Sequence, residues 1–148
     1  MKRLLFSLPL LALLTTACQK TTPDLIPTYE GHYQLQFSTH TDFDTTPVTT
    51  TTLIKGSLSL VKNPDGTYTF TEKWPDHTER TYQVRVVGSR FEVPTQTEAF
   101  PVNGVLYTPQ FVGSGEFTTN QSVTITRIAN FTAGLVRVNS RWTSYGYR

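Results

Sequence analysis

The sequence predicts an all-β domain, an antiparallel meander of about eight short strands closed into a small barrel. Three observations carry this. From Gly31 onward, short runs rich in Thr, Val, Tyr and Phe alternate apolar and polar residues, the period of a half-buried strand. The runs are divided by Gly, Pro, Asn and Asp at intervals short enough for hairpins. No window repeats its apolar residues at helical spacing, and Ala and Met, which favour helices, are scarce. An antiparallel meander must hide its two edges, and closure hides both. A two-sheet β-sandwich satisfies the same alternation and is the alternative.

In the first strand Tyr33, Leu35 and Phe37 alternate with polar neighbours, and THTDFDTTPV, residues 39–48, reads as a polar connection. Ile54, Gly56, Leu58 and Leu60 mark one face of the second strand, and Tyr68, Phe70 and Trp74 one face of the third. Between them Asn63-Pro64-Asp65-Gly66 predicts a type I turn, proline presetting φ and glycine taking the left-handed bulge position. Tyr82, Val84 and Val86 mark the fourth strand, ended at Gly88-Ser89, and Phe91 and Val93 a brief fifth ended by Pro94. Later runs span Leu106 to Phe117, Val123 to Ile128 and Leu135 to Trp142, the first bent or divided at Pro109 or at Gly113-Ser114-Gly115. The expected core is the apolar phase of these runs: Tyr33, Leu35, Phe37, Leu58, Leu60, Phe70, Tyr82, Val84, Phe91, Val123 and Ile125.

Pairing rules extend this to a site. With Asn63 opposite Thr67, the register sets Leu60 opposite Phe70, Leu58 opposite Glu72 and Gly56 opposite Trp74, where the glycine leaves room for the indole. Matching apolar faces across Pro75-Asp76-His77 then sets Phe70 opposite Tyr82 and Glu72 opposite Arg80. Glu72, Trp74, Arg80 and Tyr82 therefore share the aromatic face, and they are the candidate ligand-binding residues, Glu72 and Arg80 forming a polar grip that favours anionic ligands through Arg80. The plainer reading leaves the two charges at the barrel mouth, paired with each other or with water.

Before the domain, Met1, Lys2 and Arg3 form a charged start, Leu4 to Leu14 an apolar run too short to span a bilayer, and Thr15-Thr16-Ala17 a small-residue stretch before Cys18, the only cysteine. This resembles the lipobox signal of bacterial lipoproteins, with Thr15 where that motif usually has leucine. The resemblance implies a signal peptide over 1–17, removal of that segment, and lipid on Cys18 that anchors the chain to the bacterial cell envelope, at the outer membrane. More than one acyl chain holds stably where a single chain is marginal. Residues 18–30, polar and interrupted by Pro23 and Pro27, then read as lipidated cysteine and tether, and residues 31–148 as the barrel domain. Two basic residues leave with the leader, so basic and acidic side chains balance at 11 each. Nothing in that balance recommends nucleic acid as a partner.

Gly31-His32-Tyr33 resembles the Gly-X-Trp that opens the first strand of lipocalin-like small barrels on many bacterial lipoproteins, tyrosine standing in for tryptophan. The resemblance implies a cup over residues 31–148 able to take a small apolar or amphiphilic ligand, although family members also serve as structural or envelope-maintenance proteins.

Catalytic signals are poor, and no enzyme and no cofactor is expected. Gly113-Ser114-Gly115 lacks the glycines two residues either side of serine that a nucleophile elbow needs, and reads as a strand bend. His32, His40 and His77 have no metal-binding spacing, and His40-Thr41-Asp42-Phe43-Asp44 offers fewer ligands than calcium takes, so no metal is expected. Asn120-Gln121-Ser122 and Asn130-Phe131-Thr132 match the glycosylation acceptor pattern, idle in a bacterium. Asp44-Thr45-Thr46 is similar to the O-glycosylation motif of Bacteroidetes, a match short enough to arise by chance in a Thr-rich chain. Two function classes remain: a tethered ligand-binding barrel, and a structural or protein-interaction lipoprotein with a packed core and no ligand.

Overall fold

The structure, a computed structural model, describes residues 28–44, 46–48 and 53–148. The leader, Cys18, the tether ahead of Thr28 and Thr45 of the possible glycosylation motif lie outside the described residues. Those described form strands β1 (Gly31–Phe43), β2 (Thr46–Val48), β3 (Ile54–Lys62), β4 (Tyr68–Lys73), β5 (Glu79–Val84), β6 (Val86–Val87), β7 (Arg90–Thr97), β8 (Phe100–Val102), β9 (Val105–Tyr107), β10 (Gln110–Thr119), β11 (Ser122–Ala133) and β12 (Val136–Tyr147). They contain no helix.

The eight longer strands follow one another round an antiparallel sheet in the order β5-β4-β3-β1-β12-β11-β10-β7, with β6 on the end and β2 beside β1. Strand β12 returns to pair with β1, from Gln34↔Tyr147 to Phe43↔Val138. The row begins at β5 and ends at β6, and only Arg85 separates these two in the chain. No ladder joins β5 to β6 or β7, although β5 and β7 approach each other. The sheet is a barrel closed except at this one seam.

Turn chemistry sets the first registers as expected. Asn63 N–H donates to Thr67 O (2.8 Å), Gly66 N–H donates to Asn63 O (3.0 Å), and Gly66 sits at φ 83° where a side chain is costly. Leu60 pairs with Phe70, Leu58 with Glu72, Phe70 with Tyr82 and Glu72 with Arg80. The next turn repeats the pattern: Trp74 N–H donates to Thr78 O (3.0 Å), and His77 takes the left-handed position at φ 65°.

The expected core residues are buried, with one exception. Tyr33, Leu35, Leu58, Leu60, Phe70, Tyr82, Val84, Phe91, Val123 and Ile125 form one cluster, joined by Tyr29, Tyr68, Val93 and Phe117. Phe37 is only half-buried, because its strand carries it up to the rim. Tyr29, assigned from sequence to the polar segment ahead of the domain, is buried: its ring stacks on Phe117 at 3.8 Å and its hydroxyl donates to Gly88 O. Arg148 covers this end, its guanidinium 5.0 Å from the Tyr33 ring and donating to the carbonyls of Glu30, Thr28 and Asn120. The barrel is thus closed where the described chain enters.

Two local expectations are corrected, a third is narrowed to one of its alternatives, and one element is new. The polar connection at 39–48 is largely strand, because β12 offers backbone pairing as far as Phe43 whatever the side chains are. Pro94 does not end its strand: β7 runs on to Thr97, the proline lying at a bulge where the register shifts between Val93↔Gly113 and Gln96↔Phe111. The long run breaks at Pro109, and Gly113 and Gly115 lie inside β10 as close-approach positions. A Cβ on Gly115 would meet Phe91 at 2.3 Å, and one on Gly113 would meet Val93 and Arg127 at 3.0 and 3.1 Å. Finally, Asn103-Gly104, both at positive φ, turn a small hairpin, β8–β9, absent from the sequence reading.

This hairpin sits above the barrel mouth. Strand β3 starts pairing with β1 at Ile54↔Phe37, whereas β1 and β12 continue together beyond that level. Between the hairpin and the overhanging strands Val102, Ala133 and Val138 make a second core with Phe43, Phe100, Tyr107 and Phe131.

Candidate functional site

At the mouth, three aromatic side chains from three strands converge. Trp74 follows β4 directly and lies across Gly56, where a Cβ would stand 2.5 Å from the indole. Phe37 of β1 touches Trp74 (ring centroids 5.2 Å) and meets Trp142 of β12 edge-on (5.6 Å). Trp142 is held by Phe111 packed on its ring at 4.1 Å and by Nε1 donating to Ser140 Oγ (3.1 Å), which shares a 3.0 Å hydrogen bond with Thr41. With Ile54, Pro75, Asp76, Thr78 and Arg80 these rings enclose a pocket of about 330 Å³. That is at the small end for a ligand site.

Arg80 closes one side of the pocket. Its Nε and Nη2 grip Glu98 Oε1 and Oε2 at 2.7 and 2.9 Å, a two-point pair with both side chains 18% exposed. This pair bridges the seam, since Arg80 lies on β5 and Glu98 just beyond β7. The guanidinium also stands 5.8 Å from the Trp142 ring. Asp76 lies in the turn at the rim. The Thr78 N–H and then its hydroxyl hold the Asp76 carboxyl below the usual carboxylate range, so it carries its charge at neutral pH.

Glu72 and Tyr82, two of the four candidates, are not in the pocket walls. They lie deeper, in a buried cluster with Arg127 of β11. Glu72 Oε1 accepts from Tyr82 Oη at 2.5 Å and from Arg127 Nη2 at 2.6 Å, and Nη2 also donates to Tyr82 Oη at 3.0 Å. Glu72 and Arg127 are 0% and 1% exposed. Burial opposes the charge of Arg127, yet the adjacent Glu72 outweighs it and holds the guanidinium pKa above its ordinary value. Burial, with the Glu72 charge next, pushes the Tyr82 hydroxyl well above the ordinary tyrosine pKa.

Trp74 and Arg80 therefore meet at the mouth, while Glu72 and Tyr82 sit beneath. Glu72 and Arg80 are cross-strand neighbours but do not pair; each takes a partner from elsewhere in the barrel. Arg80, the residue on which an anionic preference was expected to rest, is engaged by Glu98. Sequence reasoning missed Arg127, Glu98, Phe111 and Trp142 as parts of the site. Arg127 did carry a signal, as a charge in the apolar phase of Val123 and Ile125.

Elsewhere, a depression of about 1070 Å³ follows the seam, its walls including Arg85, Arg90, Glu92, Pro94 and Glu116. His40 and Asp42 approach to 3.1 Å while both are exposed, and among the described residues no three His, Cys, Asp or Glu side chains converge.

No family model matches the chain, and no curated protein matches it. Among solved structures, a protein of unknown function of the DUF3598 family from Nostoc punctiforme is similar, with 12% sequence identity and a TM-score of 0.47. The match covers 80% of this chain and 47% of that one, so the chain spans about half the length of that structure.

Proposed function

We propose that the chain is a bacterial envelope lipoprotein, anchored through lipid on Cys18, whose lipocalin-like barrel receives a small apolar or amphiphilic molecule at its mouth. The observation that carries this reading is the open pocket between Phe37, Trp74 and Trp142 above a core of packed aromatic and aliphatic side chains. Tyr29, Tyr33, Phe70, Phe91 and Phe117 pack the closed half, and the Glu72–Tyr82–Arg127 cluster fills the level above them. A ligand here is held at the rim and not swallowed, which limits its size. The described chain enters at the closed end, where Tyr29 and Arg148 lie, so an anchor ahead of it leaves the mouth facing away from the bilayer.

The packed lower barrel also favours the second reading, a structural or protein-interaction lipoprotein with no ligand. One measurement separates them. The chain has two tryptophans and both line the pocket, so intrinsic fluorescence reports on that site without background. Titration with a neutral hydrophobic dye should quench or shift the emission, and Trp142→Phe should weaken that response. A dye that leaves the emission unchanged would remove the binding reading in favour of the surface-interaction one.

A further inference from the structure

We propose that the molecule selected by the mouth carries a small organic cation with an apolar skin, a quaternary or tertiary alkylammonium head. The inference rests on the pocket reading above and adds the ligand's charge to it. The walls are two indoles and a phenyl ring, with Phe37 in contact with both tryptophans. Aromatic faces attract cations through the ring quadrupole, tryptophan most strongly, and alkylammonium heads are the ions such walls suit best because they lose little hydration. The protein already places one cation on this surface: Arg80, 5.8 Å from the Trp142 ring.

Charge decides between a cation and its competitors. Arg80 is cancelled by its two-point pair with Glu98. Lys73, at the end of the same strand pair, is tied to Glu79 at 3.1 Å. Asp76 is left as a rim carboxylate with hydrogen bonds from its own turn and no ion-pair partner among the described residues. Asp76 and Arg80 of the pocket wall, with Glu98 that pairs with Arg80 from outside it, thus sum to one negative charge. Among the described residues that line the pocket, an anion finds no unpaired positive group. A neutral molecule gains the apolar walls alone, while an alkylammonium head gains the walls, the ring quadrupoles and Asp76 together. Strongly hydrated cations gain Asp76 but lose water against apolar walls.

The test compares three molecules of one shape: choline, its neutral isostere 3,3-dimethylbutan-1-ol, and the anion 3,3-dimethylbutanoate. The protein is the full chain in phosphatidylglycerol nanodiscs, which bring no quaternary ammonium group, at pH 8. Tryptophan emission is the readout. Choline should bind about tenfold more tightly than the alcohol, and Asp76→Asn should cut that preference to about threefold. Equal or tighter binding of the alcohol, or preference for the anion, overturns the cation inference and leaves the pocket reading standing. Failure of choline where a neutral dye still binds does the same. If neither the dye nor any of the three moves the emission, both readings fall.

Discussion

The Glu72–Arg127 pair should respond to mutation in opposite senses depending on whether one charge or both are removed. Each group is within 1% of complete burial. Replacing Glu72 with leucine strands the guanidinium with only the Tyr82 hydroxyl beside it. Arg127→Met strands the carboxylate in the same way. Breaking a buried pair from one side costs about 3–5 kcal/mol, a large share of a domain stability of about 5–15 kcal/mol. The double variant behaves differently. Among the described residues Glu72 Oε2 and Arg127 Nε and Nη1 find no hydrogen-bond partner, so the native pair is solvated incompletely by its surroundings. Removing both charges relieves that deficit and leaves Leu and Met of similar bulk in an aromatic and aliphatic setting. The double variant should lie within about 1 kcal/mol of the native protein or exceed it. Tyr82→Phe, which removes one hydroxyl bonded to a charged group, should cost about 1.5–3 kcal/mol. Equilibrium urea unfolding, followed by circular dichroism and tryptophan emission, gives all four values. Additive losses in the double variant would refute the reasoning, since they would mean that each side chain stabilises the fold independently of the other.

Phe70→Ala should cost about 3–5 kcal/mol, read as a lowered melting temperature, because its ring meets Tyr82, Phe91 and Phe117 at centroid distances of 5.5, 4.9 and 6.3 Å. Stability should hold from neutral pH to about pH 10 and then fall by up to about 1.4 kcal/mol per pH unit, because Tyr82 keeps its proton in the folded chain after an unfolded tyrosine has lost it. In Tyr82→Phe the alkaline fall should be shallower, though Tyr33, also raised by burial, retains part of it; an unchanged slope would contradict the assignment. Cys18→Ser should abolish incorporation of labelled lipid, and label persisting on that variant would sink the anchor.

How much of this was legible depends on the distance over which a residue's fate is decided. The two hairpins from Ile54 to Val84 are local objects. Asn63-Pro64-Asp65-Gly66 fixes one register, and the apolar phase carries it across the next turn. The shared face of Glu72, Trp74, Arg80 and Tyr82 could therefore be derived. What could not be derived was the partner across the barrel: Arg127 lies 55 residues from Glu72, and only closure brings them together. Pairing rules name a residue's neighbours within the sheet and say nothing of what faces it from the opposite wall. Glu98 escaped for the same reason, lying opposite Arg80 only because two unpaired edges meet. The β8–β9 hairpin is a different case. Its Asn103-Gly104 signal was present and local, but Pro101 beside it masked a strand that needs few backbone donors.

The position of the pocket follows from where the barrel fails to close. Around most of its circumference neighbouring strands are held by ladders, and the interior at each level is decided by which side chains those ladders point inward. At the seam there is no ladder, so side chains must hold β5 to β7. In the closed half Phe70 meets Phe91 across it, and large rings leave no space. Toward the mouth the aromatic supply changes: Gly113 occupies the inward phase of β10, leaving its volume to Arg127, and the seam is bridged by Arg80 and Glu98. A salt bridge fills less volume than two packed rings and fixes the width of the opening it spans. Above that bridge the seam side offers Phe37, Trp74 and Trp142 the Arg80 guanidinium, 5.8 Å from the Trp142 ring, in place of a further aromatic ring. Their surfaces become the pocket walls, and the ion pair that closes the seam engages Arg80, the cation those walls include among the described residues.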